Sequence, residues 1–446
     1  MKIKSVNINI ENVFKDFKIE FKNTEKKEPT IHYLVGNNGS GKTLILEAIH
    51  SGIVGIHNPS FGVCDINFEL NIEEYTTAKL KYSQPARNSV DPGQIIMTDG
   101  VIANQNFRKS VYSSIEVNFS HQSIASATAQ APDEENPKSK SLNLNQLIPQ
   151  LLVNIANQDG RVANSYIKNN IGTTITNGIV PGQKLPRFEK AYNAIFTSKK
   201  FHSIKENGTE FEILFKDGNN LEIPLSKLSS GEKQIIYRLG FILKDFDTIK
   251  GGIIIIDEPE ISLHPKWQIH FKKLLLEIFK GTDVQIIIAT HSPYIFNNID
   301  SEKEECIFIN REEGAASLVE LNISGKNKSP SMGLVSYLAY GIATNELHIE
   351  LYDEMQIKFK TDFISQLENI ITKAPYALTK ENRSKTNSTI FVTGVNNKGK
   401  NKEQSSSESK PTWIRNKLHH ASFLDRKDFT EKDLQESIDE MIAILK

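Results

Sequence analysis

Apolar and polar residues repeat with two different periods near the start of the chain, and each period predicts an element. Residues 1–10 alternate between apolar and polar side chains, which is the pattern of a strand with one buried face. IHYLVG at 31–36 predicts a buried strand that leads into a glycine loop, and LILEAIHSGI after it has the spacing of a helix. The pattern therefore predicts a strand, a glycine loop and a helix in direct succession.

Two longer apolar runs predict parallel strands. GGIIIIDE at 251–258 and VQIIIAT at 284–290 are β-branched and uninterrupted, as are strands covered on both faces. A helix is predicted between them at 265–280, and another begins near Gly231. FEILFKDGNNLEIPL at 211–225 predicts a hairpin that turns through Asp-Gly-Asn-Asn. Strands and helices that alternate in this way predict an α/β fold.

The remaining segments predict additions to this α/β core. Strand-like runs between about 62 and 120 (DINFEL, AKLKYS and SSIEVNFS) predict an antiparallel β subdomain. Residues 126–142 are small, polar and interrupted by proline, which predicts an exposed loop. Helical patterns near 144–158 and 186–199 predict a helical insertion.

The C-terminal part of the chain is mostly helical in its pattern. Helices are predicted within 341–372 and at 430–446, and the Lys-, Asn- and Ser-rich segment 382–410 between them is predicted to be flexible and basic. We therefore expect two domains: an α/β domain at 1–335, with a β-rich and loop insertion at about 60–205, and a mostly helical domain at 336–446.

Composition narrows the class of protein. The 446 residues include 53 Lys and Arg against 54 Asp and Glu, so the net charge does not indicate a nucleic-acid binder, although a local basic patch stays open. The two cysteines, Cys64 and Cys306, lack metal-site spacing and are interpreted as reduced thiols. The N-terminus has no signal-peptide pattern, and no apolar run approaches the roughly 20 residues of a membrane span. We expect a soluble, cytoplasmic protein.

The first chemical motif is GNNGSGKT, which matches G-x-x-x-x-G-K-[ST] between a predicted strand and a predicted helix. Its glycines let backbone N–H groups close around phosphate oxygens at a helix N-terminus. Lys42 is expected to reach the β- and γ-phosphates, and Thr43 to bind Mg²⁺. A chance glycine turn is the alternative, and the flanking strand and helix weigh against it. The predicted nucleotide contacts are Gly36, Asn37, Asn38, Gly39, Ser40, Gly41, Lys42 and Thr43.

The second motif is the acidic pair that ends IIIIDE. Asp257, at the end of a buried strand, is expected to hold Mg²⁺ through water, and Glu258 to orient and deprotonate an attacking water. A solvent-facing pair is the alternative. It is weakened because DEPEISLHP continues with a proline and a stiff loop.

Two further motifs complete the set. In KLSSGEKQ, residues Ser229, Ser230 and Gly231 begin a helix and form a second anion-binding N-terminus, for which an ordinary helix cap is the alternative. One nucleotide does not need two such sites from one chain, so each second site is expected to cover the γ-phosphate held by another chain. His291 in IIIATHSPYIF ends a strand, where it can hydrogen-bond a γ-phosphate. In combination, these motifs predict an ATPase.

The order of these motifs resembles that of the ABC-class ATPase heads of the SMC, RecF and OLD (overcoming lysogenization defect) group, which are P-loop NTPases. LSSGEKQ resembles the ABC signature, with Ser229 and Gly231 at the positions that touch the opposite nucleotide. DEPEISLHP resembles the Walker B motif and D-loop of OLD-like and RecF-like proteins. The resemblance covers roughly residues 1–330. It implies an ABC-type head that binds ATP and Mg²⁺ and dimerises around the nucleotide.

Three features depart from that group or fit it less closely. Gln122 is the candidate Mg²⁺ ligand of a Q-loop, with an exposed loop glutamine as the alternative. No heptad run predicts a coiled-coil arm, which argues against SMC-type tethering. FVTGVNNKGKNK at 391–402 lacks the D-x-D of a TOPRIM domain, which argues against a built-in TOPRIM nuclease.

TWIRNKLHHAS at 412–422 contains R-x4-H, the short motif of HEPN ribonucleases. That resemblance implies a second site of Arg415, Asn416 and His420, joined by His348 with Tyr352 one turn later. Residues five apart lie about 140° from each other on a straight helix, so Arg415 shares a face with His419 instead. The alternatives are a helix that docks the tail and a packing pair of His348 with Tyr352.

From the resemblance we expect an ATPase that dimerises on ATP and gates an anti-phage effector, with a separately encoded nuclease as its partner. A nucleic acid or a phage-derived molecule is the expected trigger. The alternatives are a self-contained HEPN-like ribonuclease toxin controlled by ATP and a RecF-like DNA-binding repair ATPase.

Overall fold

The described part of the chain covers most of both predicted domains. The computed structural model describes residues 1–22, 24–25, 27–58, 60–72, 75–84, 94–97, 108–114, 124–128, 132–135, 137–140, 143–170, 180–196, 198–208, 210–296, 299–300, 302–312, 315–319, 331–373, 375–378, 381–382, 407–420 and 429–445. Gln122 lies outside these residues, as does most of the run SSIEVNFS.

Strands and helices are interspersed in the first part of the chain, and helices dominate the C-terminal part. The strands are β1 (Lys2–Ile10), β2 (Phe14–Glu20), β3 (Thr30–Val35), β4 (Cys64–Ile72), β5 (Tyr75–Gln84), β6 (Gln94–Met97), β7 (Ser110–Ser113), β8 (Lys199–Asn207), β9 (Glu210–Asp217), β10 (Glu222–Pro224), β11 (Ile253–Asp257), β12 (Gln285–Thr290), β13 (Glu304–Glu312), β14 (Ala315–Val319), β15 (Glu381–Asn382) and β16 (Ser407–Glu408). The helices are α1 (Lys42–Val54), α2 (Leu144–Asn169), α3 (Leu185–Ile195), α4 (Ser230–Lys244), α5 (Pro265–Ile278), α6 (Met332–Tyr340), α7 (Asn345–Phe359), α8 (Ile364–Ile371), α9 (Lys410–His420) and α10 (Glu431–Leu445).

A six-stranded sheet in the order β14-β13-β3-β12-β11-β7 carries the predicted motifs. The strands from β13 to β7 pair in parallel, and every residue of β3, β11 and β12 is buried. This burial explains the uninterrupted apolar runs. Because parallel strands end at one edge of a sheet, the residues that follow β3, β11 and β12 share that edge.

A second, antiparallel sheet has the order β2-β1-β4-β5-β6. Alternate residues of β1 point into a core that it shares with α1 and the parallel sheet, including Ile3, Ile8, Ile49 and Phe68. A smaller antiparallel sheet, β10-β9-β8, contains the predicted hairpin. The predicted α/β fold with an antiparallel β subdomain, a helical insertion and a mostly helical C-terminal part is confirmed.

The structure refines two local predictions. The edge strand β7, Ser110–Ser113, overlaps the predicted run SSIEVNFS at Ser113, and residues 115–120 of that run lie outside the described residues. The predicted exposed loop 126–142 runs partly along this strand, because Ser110 N donates to Pro137 O at 2.9 Å and Tyr112 N to Ser139 O at 2.9 Å. Proline and small polar residues therefore mark a segment that completes the edge of the sheet.

The chain divides into two compact units, Met1–Leu318 and Val319–Lys446. The boundary predicted after residue 335 falls inside α6, whose Leu334 and Tyr337 belong to the core of the second unit. In that unit α7, α9 and α10 pack around Leu351, Ile414 and Ile438. The strands β15 and β16 pair as a short ladder, with Glu381 opposite Glu408. Among the described residues, no helix is long and apolar enough to cross a membrane.

Candidate active site

The phosphate loop connects β3 to α1 and depends on glycine at three points. Gly39 and Gly41 have φ of 80° and 96°, in the left-handed region that glycine adopts without strain. A Cβ on Gly36 would lie 2.3 Å from the carbonyl oxygen of Ile309 on β13, and one on Gly41 would lie 2.7 Å from the ring of Phe14. The hydroxyl of Ser40 is buried and has no hydrogen-bond partner among the described residues. The loop therefore has the shape and the unpaired donor that a phosphate requires.

Lys42 begins α1 and points back into the loop. Its Nζ donates to the carbonyl oxygens of Gly36 at 2.8 Å and Asn37 at 2.9 Å. Burial lowers the pKa of Lys42, and the carboxylates of Glu258, Asp257 and Glu260 oppose that shift. The ammonium group therefore lies in the field of the acidic residues that follow β11.

Asp257 is the last residue of β11 and is fully buried. Its Oδ2 accepts a hydrogen bond from Tyr112 Oη at 3.2 Å, whereas Oδ1 makes no well-formed hydrogen bond within the described residues. Burial raises the pKa of Asp257 to about 6, and Thr43 lies near enough to oppose this shift. A buried carboxylate oxygen beside a threonine hydroxyl fits the oxygen ligands that Mg²⁺ prefers, directly or through water.

Glu258 follows with φ of 42°, a value that non-glycine residues rarely adopt. Its N–H donates to Ala289 O at 2.9 Å, which fixes this backbone against β12. Its Oε1 lies 3.5 Å from His291 Nδ1 on the next strand end. The constrained backbone therefore turns the glutamate toward the predicted histidine.

Glu260 was not among the predicted site residues, yet it contacts the turn that carries His291. Its Oε1 accepts from Thr290 Oγ1 at 2.7 Å, His291 N at 2.7 Å and Ser292 N at 3.2 Å. The same oxygen lies 3.3 Å from His291 Nδ1. In the sequence, the feature that could have indicated Glu260 as a site residue is its place as the third acidic residue of DEPE.

Arg238 was also missed, and it connects the signature helix α4 to the acidic motif. Its guanidinium is 1% exposed and donates to the carbonyl oxygens of Asp257 at 2.8 Å and Glu258 at 3.3 Å. Gln234, with its amide oxygen toward the guanidinium, accepts from Nε at 2.8 Å. Burial lowers the pKa of Arg238 to about 10. In the sequence, the feature that could have indicated a buried role for Arg238 is its position inside the apolar run IIYRLGFIL.

The signature residues begin α4 in a capping box. Ser229 Oγ accepts from Glu232 N at 3.3 Å and donates to Glu232 Oε2 at 2.8 Å, and Ser229 N donates to the same carboxylate oxygen at 2.8 Å. Ser229 and Ser230 are both exposed. A Cβ on Gly231 would lie 2.5 Å from Ser262 O, so this glycine allows the loop after β11 to pass close to the helix. The helix-cap interpretation therefore describes the single chain: Glu232 accepts from both donors of Ser229, and Ser230 is exposed beside it.

The C-terminal candidates lie on α9 and α7 in the second unit. The guanidinium of Arg415 stacks over Tyr352 at 5.8 Å, and Asn416 Nδ2 donates to Glu408 at 3.2 Å. His348 is fully buried, its Nε2 lies 2.9 Å from Ser437 Oγ, and burial lowers its pKa to about 4. His348 and Tyr352 are both buried in the second unit, where His348 contacts α10 and Tyr352 contacts α9.

The start of α9 is held by a buried carboxylate. Glu368 accepts from Ser409 N and Ser409 Oγ, both at 2.7 Å, and from Thr412 Oγ1. Ile414 is fully buried and Trp413 packs edge-to-face on Phe429. The segment TWIRNKLH is therefore a packed helix of the second core.

Comparisons with known proteins identify an ATPase domain in the chain. Residues 57–296 match the family model described as AAA ATPase domain. The chain is 34% identical over 98 residues to the Retron Ec83 probable ATPase of Escherichia coli, covering 20% of this chain and 18% of that protein. It is 33% identical over 115 residues to the Septu protein PtuA of Bacillus thuringiensis, covering 23% and 28% respectively. The matches therefore span under a third of these relatives.

The comparison with solved structures gave matches of low identity. The SMC head domain from Thermotoga maritima is 14% identical, with a TM-score of 0.41, over 72% of this chain and 99% of that chain.

Proposed function

The chain belongs to the AAA ATPase domain family, and on that basis we propose that it binds ATP with Mg²⁺ and hydrolyses it. The observation that supports hydrolysis best is the acidic end of β11. Buried Asp257 faces Thr43, while Glu258 and His291 meet at the adjoining strand end. A phosphate loop, a metal-binding carboxylate and a water-activating carboxylate are the parts that P-loop NTPases use.

Each residue has a role that its contacts support. The phosphate oxygens would replace the Gly36 and Asn37 carbonyls as partners of Lys42. Glu258 would orient the attacking water and accept its proton, and His291 would donate a hydrogen bond to the γ-phosphate. Thr43 and Asp257 would hold Mg²⁺, which when bound neutralises charge on the phosphate oxygens.

We further propose that two chains share each nucleotide. The exposed Ser230 at the N-terminus of α4 offers its hydroxyl to a γ-phosphate held by a second chain, and the Ser229 hydroxyl would turn from Glu232 to that phosphate. ATP would then close a homodimer and hydrolysis would reopen it.

We propose that this cycle controls an anti-phage effector, with a separately encoded nuclease as the partner and the cytoplasm as the compartment. The resemblance to OLD-like ATPases implies such a role, and the similarity to a retron ATPase and to a Septu protein supports it. Among the alternatives, the ribonuclease is less well supported than docking, because Arg415 packs on Tyr352 and His348 is sealed in the core.

Glu258→Gln tests the assignment. It should bind ATP, lose turnover and accumulate as a closed dimer in size-exclusion chromatography, because only the water-activating carboxylate is lost. Lys42→Ala should instead weaken nucleotide binding. Wild-type turnover in Glu258→Gln would refute the role of this carboxylate.

Mixing two inactive variants tests the shared site. Ser229→Arg should block dimerisation without preventing nucleotide binding, because it places a bulky cation where the facing phosphate belongs. Combined with Lys42→Ala, it should recover one composite site per heterodimer. The absence of recovery, under conditions in which labelled chains exchange, would exclude the trans arrangement.

A further inference from the structure

Glu260 is a buried carboxylate with an unusual set of donors. The residue is 6% exposed, and its Oε1 receives all three hydrogen bonds, from the hydroxyl of Thr290 and the N–H groups of His291 and Ser292. All three donors belong to the turn that ends β12. One carboxylate oxygen therefore organises the backbone from which the His291 side chain projects.

The ring of His291 lies between two acidic groups. Its Nδ1 is 3.3 Å from Glu260 Oε1 and 3.5 Å from Glu258 Oε1, and its side chain is 41% exposed. With Nδ1 facing carboxylates, Nε2 is the ring nitrogen left for a substrate. Nδ1 makes no well-formed hydrogen bond to either carboxylate among the described residues, so the carboxylates act on it through their charge, while the turn that Glu260 holds sets the position of the ring.

The backbone that carries Glu260 is itself fixed. Leu263 N donates to Glu260 O at 2.9 Å, and Gln268 Nε2 donates to Leu263 O at 2.8 Å. The Oε1 of the same glutamine accepts from Ser292 Oγ at 2.5 Å, so α5 also contacts the turn after β12. Glu260 is therefore held on its main chain as well as its side chain, as a residue that orients another must be.

We propose that Glu260 is a positioning residue for hydrolysis, which holds the turn that carries His291 and places a negative charge beside Nδ1, so that Nε2 faces the γ-phosphate. The proposal rests on the proposed function, since it assumes that His291 contacts that phosphate. Glu260 acts through His291 and does not touch the substrate.

The test is a double-mutant cycle on kcat. Glu260→Gln keeps an oxygen that can accept from the turn but removes the charge beside Nδ1, and Glu260→Ala removes both. Loss of an orienting partner costs about 10- to 100-fold in activity, so kcat should fall about 10-fold in Glu260→Gln and further in Glu260→Ala. The Kd for a fluorescent ATP analogue should stay within about twofold of wild type, because the phosphate loop is unchanged.

The double variant separates positioning from a general structural role. Because Glu260 acts through His291, Glu260→Gln should lower kcat by less than about twofold when His291 is already alanine. Glu304→Gln is the matched control: Glu304 is also buried but bonds Lys272 and Tyr33, and its loss should leave kcat within about twofold. Should Glu260→Ala not fold, the glutamine variants still complete the cycle.

Two results would overturn the proposal. The first is a wild-type kcat in Glu260→Gln. The second is a Glu260→Gln change that lowers kcat by the same factor in the His291→Ala background as in the wild type. A wild-type protein without ATPase activity would overturn the proposed function as well. An active wild type with an unaffected Glu260→Gln would overturn the positioning role alone.

Discussion

Replacing Arg238 with methionine should destabilise the first unit and disable hydrolysis together. The guanidinium fills a buried position between α4 and the end of β11, and it donates to the carbonyl oxygens of Asp257 and Glu258. Methionine can occupy much of the same volume but donates no hydrogen bond. Both carbonyl groups then lose a buried donor, and the positive-φ backbone of Glu258 loses one of its constraints.

The size of the effect follows from these contacts. A buried polar group left without its partner costs about 1–3 kcal/mol, so two carbonyls cost about 2–6 kcal/mol. The variant regains part of this free energy, because it no longer buries a charged guanidinium, whose pKa burial already lowers to about 10. We expect a net loss of about 3 kcal/mol in the free energy of unfolding. Loss of the nearby cation also raises the pKa of Asp257, since Arg238 opposes the effect of burial there.

Urea denaturation and ATP turnover measure the two consequences. Arg238→Lys should be intermediate, because one ammonium group cannot bond both carbonyls as a planar guanidinium does. Arg161→Met on the exposed face of α2 is the control and should change stability by under about 0.5 kcal/mol. An Arg238→Met protein as stable as this control would refute the account of how α4 and β11 are joined.

Three further outcomes follow from contacts described above. Gly231→Ala should lower stability by about 1–3 kcal/mol in thermal denaturation, because its Cβ would meet Ser262 O at 2.5 Å, and an unchanged Tm would contradict that packing. The second unit should lose up to roughly 3 kcal/mol as pH falls from 6.5 to 4, because His348 stays neutral when folded, with a pKa of about 4, but takes up a proton when unfolded. Denaturation at both pH values should show this slope in wild type but not in His348→Gln, and a flat wild-type profile would disprove it. If α9 is a docking helix, Arg415→Ala should lower the free energy of unfolding, and function should fall in proportion. If Arg415→Ala and His420→Ala instead each abolish RNA cleavage at unchanged stability, the ribonuclease alternative is favoured.

The candidate site residues that the sequence suggested are those built from neighbours along the chain. The phosphate loop and the acidic pair each lie within eight consecutive residues, and their glycines and strand ends carry the signal locally. Glu260 and Arg238 were missed because their partners are distant: Glu260 bonds His291, 31 residues later, and Arg238 bonds Asp257, 19 residues later. Periodicity does not encode such pairings.

The structure adds detail that composition and periodicity did not predict. The described part of 126–142 is a loop of mostly exposed and half-buried residues, as predicted, but its backbone carbonyls also complete the edge of the sheet. The helix predicted at 186–199 ends at Ile195, because Lys199 already begins β8. The predicted domain boundary lies inside α6. The sequence of an apolar helix does not show which of two units it packs against, and the packing of α6 places it in the second unit.

The short ladder between β15 and β16 makes the C-terminal unit tolerant of changes in chain length. Pairing of Glu381 with Glu408 and of Asn382 with Ser407 brings the two ends of the intervening residues to adjacent points on the unit. A connection between the two strands therefore has to span only one interstrand distance, and each doubling of its length costs only about 0.6 kcal/mol in loop entropy. A change in the length of this connection is therefore expected to cost the unit little in loop entropy.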